Sequence, residues 1–209
     1  MIDFVLIIHV AAGSAALIAA LSAIASRKGA IVHRQSGRIY TAAMMATALS
    51  AMSLAVLIRD GFLFGVGLFS FYLVFTGWRA AVRRNGRPTP LDRGIGVVMW
   101  SAGLAMVGWG AIGLLDGTSH PSIVLVVFGM IGIGLAMHDW QSWRAGPIMG
   151  RARIIRHLTR MMAGTIATLT ATAVVNFPQL PALVLWLGPT ALITPVIMIW
   201  TARIRHQGI

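Results

Sequence analysis

Seven runs of apolar residues, each about 18 to 23 long and each closed by a short polar connection, decide most of what this chain can fold into. A helix rises 1.5 Å per residue, so about 20 residues cross the roughly 30 Å hydrocarbon core of a bilayer. Inside hydrocarbon every backbone N–H and C=O needs a partner within the protein, and a helix supplies it from its own segment. The runs fall near residues 4–26, 38–58, 62–82, 94–115, 121–143, 157–176 and 182–203. They predict an all-α fold, a polytopic bundle of seven transmembrane helices forming one integral-membrane domain over residues 1–209. Composition agrees with this reading. Charged residues make up 11% of the chain, where a soluble domain carries about a quarter. The acids are five aspartates (Asp3, Asp60, Asp92, Asp116 and Asp139), with no glutamate to cover an exposed helix face.

The connections give the expected topology. Only Arg59-Asp60-Gly61 separates the second and third runs, which calls for a tight helical hairpin, while Pro178 and Pro181 stop the sixth run and start the seventh. No basic stretch precedes the first run and no cleavage region ends it, so a retained helix is expected rather than a signal peptide. Sixteen of the 17 Lys and Arg residues lie in alternate connections and the C-terminal tail, Arg59 being the exception. Cytoplasmic loops carry the basic excess, which predicts the N-terminus outside and the C-terminus in the cytoplasm. Trp78, Trp140, Trp143 and Trp200 fall at the cytoplasmic ends, and Trp109 and Trp186 near the outer ends, as interfacial anchors do. The net charge of +12 then needs no nucleic acid. Basic residues held at one face meet anionic lipid headgroups, and no nucleic-acid-binding motif is present. Small residues at Ala12/Ala16/Ala20, Gly61/Gly65 and Gly113/Gly117 predict closely packed helices, with oligomerisation left open.

The chemistry is narrowed by what is missing. Without cysteine there are no disulfides, thiolate nucleophiles or iron–sulfur clusters. Walker, G-x-G-x-x-G, G-x-S-x-G and H-E-x-x-H motifs are absent as well. The single lysine, Lys28, sits in a loop, so no helix offers an amine for a retinal Schiff base.

Ionisable groups within a bilayer are expensive and therefore mark candidate sites. His9 shares a face of the first helix with Gly13, Ala16 and Ala20, which would give room to a flat macrocycle or to a neighbouring helix. His138 and Asp139 lie near the cytoplasmic end of the fifth helix, and as neighbours they point about 100° apart. Asp139 could serve simply to neutralise nearby arginines. His33-Arg34-x-x-Gly37-Arg38 starts the second helix and Arg156-His157-x-x-Arg160-Met161 the sixth, both with positive dipole ends toward the cytoplasm. Arg34, Arg38, Arg156 and Arg160 are therefore candidates for contact with an anion or a headgroup. On the sixth helix His157, Met161, Thr165, Thr168, Thr172 and Asn176 form a stripe within a sector of about 100°. A packing seam and a translocation path would both produce it.

His33, His138 and His157 are expected at the cytoplasmic face, and His9 with His120 at the outer face. A two-sided arrangement of this kind suits an electron carrier with b-type haem, for which neutral imidazole is the common axial ligand. The cofactor-binding candidates are thus His9, His33, His138 and His157. The inner trio His33, His138 and His157 could instead hold a divalent metal. The leading functional reading is a membrane binding or redox protein. Its rivals are a small transporter or channel-like protein with an Arg/His-rich cytoplasmic mouth, and a membrane enzyme acting on a lipid-like substrate. The last of these lacks any nucleophile or acidic pair.

The first-helix His9-x-x-x-Gly13, the His33-Arg34-x-x-Gly37 segment, the Arg156-His157-x-x-Arg160-Met161 helix start and Trp186-Leu187-x-Pro189-Thr190 together resemble a widespread bacterial family of multi-pass membrane proteins catalogued as a domain of unknown function. The resemblance spans most of the chain. It implies a helical fold in the bacterial inner (cytoplasmic) membrane and groups His9, His33 and His157 in one pattern, without implying what they bind.

Overall fold

A computed structural model describes residues 2–117 and 119–206, except for the side chains of residues 119 and 120. It contains seven helices: α1 (Ile2–Ala25), α2 (Ile31–Ile58), α3 (Gly61–Val82), α4 (Pro90–Leu115), α5 (Ser119–Ala145), α6 (Gly150–Asn176) and α7 (Ala182–His206). Each is long and apolar enough to cross a membrane, and the chain is a seven-span integral membrane protein of all-α class. Two helices start well before their apolar runs. The Arg/His-rich segments ahead of residues 38 and 157 are continuous helix, beginning at Ile31 and Gly150. Hydropathy marks only the part of a helix in hydrocarbon, and a polar first turn can extend into the headgroup region.

α3 is the centre of the bundle. It packs against α2, α4, α5 and α6, and its residues 72–77 are buried without a break. A helix buried on all sides must lie inside the protein. α1 pairs with α2 and α4 with α5, while α7 lies against α6 and α5 with Leu185 as its buried residue. Large apolar side chains such as Phe4, Ile18, Val56, Leu115 and Leu192 face outward, where lipid replaces water as their solvent.

The α4–α5 contact shows how close packing arises. The buried residues of α4 are Asp92, Gly96, Met99, Gly103, Met106, Gly110 and Gly113, alternating in steps of four and three. This is the spacing of a left-handed helix–helix seam, with glycine at every seventh position from Gly96 to Gly110. A Cβ on Gly103 would lie 2.9 Å from the Gly129 carbonyl oxygen, and one on Gly129 2.8 Å from that of Gly103. The two backbones touch there, and dispersion between them replaces the hydrophobic drive that lipid removes. A second cluster joins the small face of α1 to α2 and α3 through Ala16, Ala19, Ala20, Tyr40, Met44 and Val74.

Short connections hold the ends. Arg59 turns the α2–α3 hairpin with φ 58°, the left-handed region. Asp60 caps α3 by accepting from the Leu63 N–H at 3.0 Å. Trp109 packs on Gly61, where no Cβ would fit. At the opposite end the Ile148 N–H donates to the Gly86 carbonyl at 3.0 Å, Lys28 Nζ lies 5.1 Å from the Trp200 ring centre, and Arg151 Nη1 reaches the Arg205 carbonyl at 3.4 Å. These contacts gather the basic connections and the end of α7 at one side of the bundle, its basic face.

Candidate functional site

Asp139 occupies the inward face of α5 near the basic end, with 0% of its surface exposed. A carboxylate that deep in a bundle requires counter-charge and hydrogen bonds. Both are present. Arg160 Nη2 donates to Oδ1 at 2.6 Å, Arg156 Nη2 approaches the same oxygen at 2.9 Å, and the Tyr72 hydroxyl donates to Oδ2 at 2.6 Å. Arg156 and Arg160 stand one turn apart on α6 and so share a face. The Arg160 guanidinium also lies 5.0 Å from the Tyr72 ring centre and donates to the Leu135 carbonyl at 3.1 Å, while Arg156 stacks on Trp143. One carboxylate therefore pins α3, α5 and α6 together, and two arginines leave the cluster with excess positive charge. Arg34 and Arg38, the other two arginines expected to contact an anion, are exposed. Arg34 donates to the Gly29 carbonyl at 2.9 Å.

The histidines separate into three situations. His33, in the first turn of α2, places Nδ1 3.0 Å from the Ala23 carbonyl of α1. His157, in α6, places Nδ1 3.0 Å from the Gly77 carbonyl of α3. A carbonyl only accepts, so in each neutral ring the proton sits on Nδ1 and Nε2 remains the basic nitrogen. The two rings meet with centroids 6.5 Å apart and planes at 89°. They do so although α2 and α6 do not pack backbone against backbone; side chains alone bridge them. The close approach of α3 that sets the Gly77 carbonyl under His157 depends on glycine, since a Cβ there would lie 2.8 Å from Met161 Sδ. His9, at the far end, has Nδ1 3.1 Å from the Thr47 carbonyl and 3.2 Å from Ser50 Oγ. His138 is exposed, and Asp139 beside it points inward. It does not join His33 and His157, and among the described residues no three His, Cys, Asp or Glu side chains form a group able to hold a metal ion. The expectation for His120 concerns a side chain outside the described residues.

The α6 stripe is hydrogen-bonded largely within its own helix. Thr165 donates to the Met161 carbonyl at 3.1 Å, Thr172 to Thr168 at 2.9 Å, and the Asn176 amide to Thr172 at 2.8 Å. Thr168 Oγ lies 3.1 Å from both the Gly164 carbonyl and Met44 Sδ. Thr165 and Thr168 are buried with Tyr40, whereas Asn176 is exposed.

Tyr72 was invisible to motif reasoning, because a tyrosine in an apolar run reads as ordinary core. A usable signal existed all the same: Ser70 and Thr76 can bond back to their own helix, but a tyrosine hydroxyl in an apolar helix must find a partner elsewhere, and Asp139 is the carboxylate that lies within reach. No family model, no curated protein and no solved structure matches the chain.

Proposed function

We propose that this chain is a membrane-embedded binding and redox protein that holds a metal-centred cofactor, b-type haem in the first instance, on His33 and His157. The observation that carries the reading is the meeting of two imidazoles from separate helices, each with Nδ1 anchored on a backbone carbonyl. Anchoring of this kind orients a metal-bound imidazole and raises its basicity, and it leaves Nε2 for the metal. His33 and His157 would hold the metal through their Nε2 atoms, and their ring centres lie 6.5 Å apart. Arg34 lies beside His33 in the first turn of α2 and Arg38 in the next turn, and both are exposed and offer positive charge for haem propionates. His9 repeats the Nδ1-to-carbonyl arrangement toward the other membrane face, which supports a two-sided carrier. When bound, haem would supply one-electron transfer, and the protein's part is to fix the imidazoles and exclude water.

The test is the absorption spectrum of protein purified from haem-replete cells. A Soret band is expected, lost in His33→Ala or His157→Ala and retained in His138→Ala. A colourless preparation ends the haem reading. Metal analysis of that preparation then decides whether the same two histidines hold a divalent ion.

A further inference from the structure

We infer that the basic face carries a built site for a phosphate-type oxyanion, in a pocket between the α3–α4 connection and the start of α6. Arg79, Arg83, Arg87, Arg153 and Arg156 line this pocket, against one carboxylate, Asp92. The charges do not cancel. Asp92 is taken by Arg79, through Nε to Oδ1 at 2.6 Å and Nη2 to Oδ2 at 2.8 Å. Arg156 shares Asp139 with Arg160. Arg153 donates to the Ala80 and Ala81 carbonyls at 3.0 and 2.9 Å, which position it at the end of α3 without neutralising it. Arg83 and Arg87 have no carboxylate partner among the described residues.

Arg83 gives the second and independent sign. Its Nε is buried and has no hydrogen-bond acceptor. Buried donors are almost always satisfied, and an orphan in a folded protein points to a water or an ion that belongs there. In a pocket with surplus positive charge that partner is an anion. A guanidinium presents its N–H groups in a flat fork that matches two oxygens of a phosphate group. The cavity measures about 50 Å³. At roughly 10–15 Å³ for each oxygen-sized occupant, it has room for about four, the oxygen count of a phosphate.

The walls are fixed before any ligand arrives. Gly86 adopts φ 63°, and a Cβ there would collide with the Ile148 carbonyl. The Ile148 N–H in turn donates to the Gly86 carbonyl at 3.0 Å, which locks the α3–α4 and α5–α6 connections together over the pocket. At the edge of a bilayer such an oxyanion has two sources: the phosphate of a lipid headgroup, and free phosphate in solution. The site contains neither His33 nor His157, so its test is independent of the cofactor reading.

The test uses the full chain purified into nanodiscs of neutral phosphatidylcholine and follows thermal unfolding. Inorganic phosphate at about 100 times its Kd should raise Tm by roughly 5–10 °C over chloride at equal ionic strength. In a second arm phosphatidic acid replaces part of the neutral lipid and phosphate is left out. A rise in the first arm assigns the site to free phosphate, a rise confined to the second assigns it to a lipid headgroup, and both outcomes support the site. The rise should vanish in Arg83→Gln and shrink in Arg87→Gln, and it should persist in Arg203→Gln, which lies outside the pocket. If Arg83→Gln does not fold, the exposed Arg87→Gln decides alone. No rise in either arm, or an equal rise in wild type and both pocket variants, overturns the proposal.

Discussion

Asp92 and Asp139 both sit near the basic face and both bind arginine, yet they are held by different kinds of structure. Asp92 belongs to a local unit. Thr89-Pro90-Leu91-Asp92 forms a capping box at the start of α4, with the Asp92 side chain accepting from the Thr89 N–H at 2.7 Å. Arg79 reaches it across the connection from α3, and the pair keeps 15% and 11% of its side-chain surface exposed. Asp139 has no local partner. Its ligands come from α3 and α6, and the carboxylate and Arg160 are nearly sealed, with 0% and 3% exposure, while Arg156 keeps 12%. The first arrangement stabilises one helix start. The second decides how three helices sit against each other, and its removal leaves Arg160, with 3% of its side chain exposed, without a counter-charge.

The largest expected effect therefore belongs to Asp139→Ala. Breaking a buried ion pair from one side costs about 3–5 kcal/mol, because Arg160 and Arg156 stay behind uncompensated. Little monodisperse protein should survive detergent extraction, as judged by size-exclusion chromatography and thermal unfolding. A variant with wild-type Tm would mean that both arginines escape to the headgroups, and the contrast between the two aspartates would collapse. Tyr72→Phe comes next. It removes only the donor to Oδ2, a hydrogen bond to a charged group worth about 1.5–3 kcal/mol, and should lower Tm while the bundle still forms. An unchanged Tm would remove Tyr72 from the cluster's energetics. The smallest effect is expected for Thr89→Ala, about 0.5–2 kcal/mol for the loss of a cap, since Arg79 still holds Asp92. A loss as large as that of Asp139→Ala would show that the rim pair also governs helix packing.

Much of this contrast was half legible beforehand. Thr89, Pro90 and Asp92 carry the capping-box spacing in four consecutive residues, yet hydropathy alone placed the run from residue 94, and the structure starts α4 at Pro90. Asp139 could be recognised as an acid available to nearby arginines, but nothing in its neighbourhood names Arg160, 21 residues on, or Tyr72, 67 residues back. The glycine seam of α4 was in plain view, yet averaging hydropathy hides it, because glycine contributes little to a transfer sum and everything to close approach. The histidines follow the same logic. Three were expected together at the basic face, and the fold joins His33 to His157 while His138 points outward. Asp139 takes the inward position on α5, and its neighbour in sequence must then face about 100° away.

The sequence by itself determined that the chain is a seven-helix membrane protein with its basic residues concentrated in alternate connections. Transfer into hydrocarbon and loop charge are sums over neighbouring residues, so they survive ignorance of the fold. Only the tertiary structure decided which arginines close on Asp139, which two imidazoles meet, and that five arginines converge on one pocket with a buried donor left over. Those outcomes depend on which helices are neighbours and on how each is rotated about its axis. Both are set by packing among residues far apart in the chain, the glycines of α3, α4 and α5 foremost among them.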